Sequence, residues 1–300
     1  MRLSALVILL GLPLRQLPAQ IPDEKVNVVV GGMPRTYLLH TPRMHAQGRI
    51  PLVILLHGRL GTGSGMARLT GFDSVSESHG LLVAYPDGYR RSWADGRGGT
   101  PADKAGVNDV AFIGAIIDDV ARHYPLDRGR VYAAGMSNGA FMAERLACEM
   151  SGRLAAVGVI AATLGDSLAA QCHPALPISI MFVNGTDDPL VPFLGGEMSG
   201  GRGSGLSVAA TVARWVELNG CTAQPVLTTL SATPPDGTQA LESLYDVCQR
   251  GAEVVAYRIE QGGHTWPGGP QYLPESIVGK TSRTFAASSV LWDFFARHTR

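Results

Sequence analysis

Three short apolar runs constrain this 300-residue chain more than any other feature: "PLVILLHG" from Pro51, "LLVAYPDG" from Leu81 and "ISIMFVNG" from Ile178. Each is apolar at consecutive positions instead of alternate ones, and each ends on glycine. A strand with that pattern must be covered on both faces. Between such runs lie stretches with helical spacing. From Val110 the apolar positions Val110, Ile113, Ile117, Val120 and Tyr124 fall on one side, with Asp118, Asp119 and Arg122 on the other. Buried strands alternating with amphipathic helices predict an α/β fold with a mostly parallel central sheet flanked by helices.

The same reading places strands at "KVNVVV" and "RTYLLHT", joined through "GGMP", and at "RVYAAG", "LAAVGVIAA" and "EVVAYRIE". Helices are expected over 138–149, 206–218 and 283–296. Two segments rich in Gly, Ser, Thr and Pro, 194–205 and 229–240, read as loops. Strand and helix patterns resume after each, and there is no internal repeat, so one domain is expected over 20–300.

Residues 1–19 read as a signal peptide. Arg2 gives a positive start, Leu3 to Leu14 is an almost unbroken apolar run too short to span a bilayer, and small Ala19 precedes the expected cleavage point. The mature protein is therefore expected outside the cytoplasm, secreted or periplasmic, with no membrane association once the leader is removed. In an oxidising compartment Cys148, Cys172, Cys221 and Cys248 are expected as disulfides, because they show no CxxC spacing. Of the three possible pairings, Cys148–Cys172 and Cys221–Cys248 close local loops and are preferred. Twenty-five basic residues balance twenty-five acidic ones without clustering, so no nucleic-acid partner is expected.

The chemistry centres on "VYAAGMSNGAF", the chain's one G-x-S-x-G, set between a strand and a helix. Such a turn lifts Ser137 above the C-terminal edge of a sheet, and the helix that follows aims free N–H groups, Asn138's among them, at any oxyanion. A nucleophilic serine needs a base and an orienting acid, which in α/β-hydrolases come later in the chain, acid first. "ISIMFVNGTDDPLVPF" offers Asp187 and Asp188 after a strand, and spacing does not decide between these neighbours. "EVVAYRIEQGGHTWPGG" offers His264 after another, with His173 a weaker rival. The loop after "LLHG" supplies a second oxyanion N–H at Arg59, while His57 is expected to pin that loop. "GDSL" at Gly165 is mid-chain and lacks any Asp-x-x-His partner, so Ser167 reads as a loop or cap serine. Trp93 and Trp266 are candidates to line a substrate pocket.

Taken together, "PLVILLHG", "YPDG", "GMSNGAFMAERLACE", "NGTDDPLVPF" and "GGHTWPGG" resemble the secreted polyhydroxybutyrate depolymerase-like esterases. That group includes the LpqC-type hydrolases and is similar to feruloyl and acetylxylan esterases. The resemblance implies an α/β-hydrolase fold and a serine carboxylic-ester hydrolase needing no metal or cofactor. Its substrates would be small or oligomeric esters of feruloyl, acetyl or hydroxyalkanoate type. It assigns the nucleophile to Ser137, the base to His264 and the acid to Asp188, the aspartate immediately before "PLVP". Arg59 stands where the depolymerase branch often has cysteine, a change that leaves the backbone N–H in place. Two other readings share the fold. A serine peptidase of prolyl-oligopeptidase type would need a propeller-sized N-terminal region, and an inactive exported binding protein would not need a complete triad.

Overall fold

The computed structural model describes residues 23–44, 48–231 and 236–300; the expected signal peptide lies outside them. The hairpin β1 (Glu24–Val30) and β2 (Met33–His40) leads into β3 (Ile50–Leu56), α1 (Gly63–Thr70), α2 (Phe72–His79) and β4 (Leu82–Pro86). Then come α3 (Pro101–Lys104), α4 (Asp109–His123), β5 (Leu126–Met136), α5 (Asn138–Met150), β6 (Ala156–Ile160), α6 (Asp166–Ala169) and β7 (Ser179–Gly185). The last third holds β8 (Gly196–Glu197), β9 (Ser204–Gly205), α7 (Val208–Leu218), β10 (Val226–Ser231) and β11 (Gln239–Tyr245). It closes with β12 (Val254–Glu260), α8 (Glu275–Val278) and α9 (Ala287–Ala296).

One sheet runs in the order β1-β2-β4-β3-β5-β6-β7-β12-β11-β10. The strands from β4 to β12 in that order pair in parallel. Antiparallel strands complete both edges. The apolar runs explain the centre. In β3 the residues Leu52, Ile54 and Leu56 enter one hydrophobic cluster with Phe112 and Ile116 of α4, Phe141 and Leu146 of α5, and Trp215 of α7. Val53 and Leu55, on the other face, join Met66 of α1, Phe72 of α2, and Leu291 and Phe294 of α9. Each such side chain taken fully out of water stabilises the fold by roughly 1.5–3 kcal/mol, so a strand with two buried faces reads as an unbroken apolar run.

Local signals set the helix ends. The Asn108 side chain accepts the Ala111 N–H and starts α4. Pro125 keeps Tyr124 extended, which ends it. The disulfides Cys148–Cys172 and Cys221–Cys248 are the expected local pair. Each closes a loop whose constraint on the unfolded chain contributes about 3–4 kcal/mol on the chain-entropy account.

Four expectations are corrected. Segment 229–240 is not all loop, because it carries the end of β10 and the start of β11, an edge hairpin whose β10 residues are almost all exposed. With little to bury, its polar sequence gives no strand signal. Segment 194–205 contains the small β8–β9 pairing. The closing helix starts at Ala287, four residues later than expected, since the Ser282 and Thr284 hydroxyls are engaged with Thr238 in the preceding turn. Ser167 lies inside the one-turn helix α6, whose cap position is Gly165.

Glu144 of α5 is wholly buried against α7. Its Oε1 accepts from Trp215 Nε1 at 3.1 Å, and Oε2 has no partner among the described residues. Burial pushes this carboxyl up to about 8 from an ordinary 4.5, with the Trp215 bond and Arg97 opposing weakly. Between those values the folded protein holds a proton that the unfolded chain has released, so stability falls as pH rises through that window. Glu144→Gln removes this slope. In paired denaturation curves its stability relative to wild type should improve by on the order of 1 kcal/mol per pH unit from pH ~5 to ~8. A gap that stays constant with pH would mean Glu144 ionises normally.

Candidate active site

Ser137 sits between β5 and α5 with φ 57° and ψ −125°, a region that L-residues rarely occupy. Holding it there costs about 1–3 kcal/mol, which the surrounding contacts must supply. The flanking glycines show how. A Cβ on Gly139 would lie 2.1 Å from the Leu56 carbonyl oxygen at the end of β3, and one on Gly135 would lie 2.3 Å from Gly139 itself. The backbone therefore turns in direct contact with the neighbouring strand. The Ser137 N–H donates to Ile160 O at 2.9 Å, fastening the turn to β6. The serine hydroxyl does not cap α5, and the residue is only half-buried.

The close approach at Gly139 brings the start of α5 beside the loop after β3. Arg59 and Asn138 line one cavity with Ser137. Among the described residues neither backbone N–H donates to a protein acceptor. His57 fixes that loop, as expected. Its Nε2 accepts the Gly88 N–H at 2.9 Å, which leaves the Nδ1 proton to bond Gly58 O at 2.8 Å. Burial lowers its pKa and keeps this neutral tautomer.

His264 follows β12 and Asp188 follows β7, on the sheet edge where Ser137 follows β5. Gly185 makes the junction, since a Cβ there would be 2.1 Å from Gly262 O, and the Asp187 N–H donates to that same oxygen. His264 Nδ1 lies 2.7 Å from Asp188 Oδ2, with His264 only 2% exposed. The other Asp188 oxygen accepts the Leu190 and Val191 N–H groups, each at 2.8 Å, so the carboxylate cannot swing away. Asp187 is exposed and bonds the Thr186 hydroxyl. His173 is exposed in the turn beside Cys172.

The two tryptophans are corrected as substrate-lining residues. Trp93 is 0% exposed and donates Nε1–H to His57 O at 2.8 Å; Trp266 is 1% exposed and donates to the Ser288 hydroxyl at 3.1 Å. Both tie loops to the domain, and neither lines the cavity at Ser137.

Sequence reasoning missed the walls of that cavity. The Asn138 side chain donates Nδ2–H to Asp95 Oδ2 at 2.6 Å and accepts the Trp93 N–H. Asp95 holds Arg97 in a buried pair at 2.6 Å, and Arg97 in turn donates to Arg202 O at 3.2 Å. Arg97, Arg202 and Met198 all face the cavity. The glycine-rich stretches around them carry no signal beyond solvated loops.

Among the described residues, the metal-ligating side chains that gather most closely are Asp23, His40 and Asp73. His40 ends β2, which β4 and β3 separate from β5 in the sheet, and its Nδ1 lies 2.9 Å from Asp23 Oδ1.

Residues 35–190, over half the chain and including Ser137 and Asp188, match the family described as Esterase PHB depolymerase. The chain belongs to that family. NocK of Nocardia uniformis subsp. tsuyamanensis, provisionally named an esterase, is 31% identical over 89% of this chain and 81% of its own. Feruloyl esterase C of Emericella nidulans is 27% identical over 90% of this chain and 86% of its own. Among solved structures, an acetyl xylan esterase from Aspergillus awamori superposes with a TM-score of 0.55 at 15% identity. That match covers 81% of this chain and 94% of the other. The fold is the α/β-hydrolase fold, and the protein is a carboxylic ester hydrolase.

The elbow of this esterase has a direct test. Gly139→Ala, with no room before Leu56 O, should destabilise by about 3 kcal/mol or more in urea unfolding. Gly152→Ala, where a Cβ meets nothing within 4 Å, should stay within about 0.5 kcal/mol of wild type.

Proposed function

We propose that this esterase is exported and cleaves esters through a Ser137–His264–Asp188 triad. Ser137 Oγ attacks the ester carbonyl while His264 takes its proton. Asp188 holds the imidazole in the tautomer that leaves Nε2 free and stabilises the imidazolium that forms. The Arg59 and Asn138 N–H groups receive the oxyanion, each worth about 3–4 kcal/mol in the transition state. His264 then gives the proton to the leaving alcohol, and water, activated by the same ring, releases the acid.

The observation that carries this reading is the bond from buried His264 to a carboxylate already braced by two N–H groups. An orienting acid needs that rigidity, whereas a turn-capping aspartate would not reach across two strand ends for an imidazole. Feruloyl, acetyl or hydroxyalkanoate esters are the proposed substrates, on the names of the relatives and the family. Export is supported by two disulfides and the apolar leader. No helix among the described residues is long and apolar enough to cross a membrane.

Ser137→Ala should keep the wild-type melting temperature, since alanine retains the Cβ and the serine hydroxyl makes no cap bond to α5. Its kcat on para-nitrophenyl butyrate should drop by about a thousandfold or more. A fluorophosphonate probe should label wild type at Ser137 and leave the variant unlabelled. Equal turnover by the two proteins would remove Ser137 from the mechanism.

A further inference from the structure

The cavity beside Ser137 is charged in a way that ester hydrolysis alone does not require. Three arginines line it: Arg59, Arg97 and Arg202. Arg97 is spoken for. Its guanidinium is paired with Asp95, stacked 3.6 Å from the Phe141 ring centroid, and bonded to Arg202 O. The other two are not. Among the described residues the Arg59 and Arg202 side chains donate no hydrogen bond and meet no carboxylate, and Arg202 Nε is buried without an acceptor. Burial, with Arg59 and Arg97 as like-charged neighbours, lowers the Arg202 pKa. Glu144, the carboxyl that feels Arg97 from inside α5, is kept protonated near neutral pH by its own burial.

An unpaired, part-buried guanidinium costs stability unless something joins it. The groups that hold it in place are nonetheless well built. Arg97 fixes the Arg202 carbonyl, and a Cβ on Gly99 would lie 3.1 Å from the Arg202 backbone, so the 96–100 loop packs directly on it. The arrangement holds part-buried Arg202 beside Ser137 and leaves its donors free, with the exposed Arg59 on the same cavity.

We propose that this cavity binds an ionised carboxylate carried by the ester substrate, with Arg202 as its principal ligand and Arg59 as the second charge. The inference rests on Ser137 being the nucleophile, and it narrows the substrate class to esters bearing a second acid group near the scissile carbonyl. Guanidinium–carboxylate bonding in a shielded cavity favours such an ester over a neutral isostere by about tenfold or more.

The test uses two matched pairs differing only in carboxylate against carboxamide. Ethyl hydrogen glutarate and ethyl glutaramate carry the group on the acyl side; para-butyryloxybenzoate and para-butyryloxybenzamide carry it on the alcohol side. Wild type should show a kcat/KM ratio of about ten or more for the carboxylate in one pair, which names the side. In Arg202→Gln that ratio should drop toward one, and Arg202→Lys should restore part of it. Purely structural damage would lower both members equally and leave the ratio intact. Equal rates within both pairs, or a ratio unmoved in Arg202→Gln, overturn the proposal while the esterase reading stands. If none of the four is cleaved, fluorophosphonate labelling separates the failures. A labelled Ser137 sinks only the anion site, and an unlabelled one sinks both readings.

Discussion

Two backbone segments touch where only glycine allows it, and the site is assembled around that contact. With Gly139 against the Leu56 carbonyl, α5 must begin beside the end of β3. Three consequences follow from one steric fact. Ser137 is forced into a left-handed turn, Arg59 and Asn138 come to line one cavity with it, and the Asn138 side chain meets the 93–95 loop. A side chain at position 139 would separate β3 from α5 and undo all three. The strain at Ser137 is thus maintained by contacts elsewhere, which is how functional strain persists in a folded protein.

A second constraint carries that geometry outward. Asn138, Asp95, Arg97 and the Arg202 carbonyl form a continuous chain of polar contacts, buried at its start and reaching the cavity wall at its end. Burial raises the Asp95 pKa, and the charge and hydrogen bonds of Arg97 oppose the shift. Breaking that pair would leave a buried charge uncompensated, so the wall of the cavity and the elbow are energetically coupled. The loop 198–203 is held by the neighbourhood of Ser137, although it lies far away in sequence.

What could be read from the sequence follows the same physics. Strands buried on both faces, such as "PLVILLHG", have to be apolar at successive positions, so β3, β4, β6 and β7 are visible without coordinates. The elbow is visible because close backbone approach demands glycine at 135 and 139. Asp188 could not be separated from Asp187 by spacing, since what distinguishes them is burial and two backbone donors, properties of the folded turn. The β10–β11 hairpin escaped notice because its outer strand is almost wholly exposed and few of its residues, Leu230, Ala240 and Leu244 among them, meet the core, too few to make an apolar run. Trp93 and Trp266 misled for a related reason: aromatic residues in loops near a site suit a ligand and a loop anchor equally, and only their indole N–H bonds to His57 and Ser288 decide.

Arg97 and Arg202 were illegible on different grounds. In sequence each is a cation among glycines, the usual mark of a solvated loop, and 105 residues separate them. In the folded protein the two differ sharply. Arg97 has its counter-ion and serves the architecture, whereas Arg202 has none and would be better solvated almost anywhere else on the surface. A fold shaped only for stability would place a carboxylate against it or let the side chain swing into water. Instead the loop is tied down through its carbonyl, leaving the guanidinium's donors unfilled at the mouth of the esterase site. An uncompensated charge held by compensated ones is the pattern expected of a group reserved for a ligand.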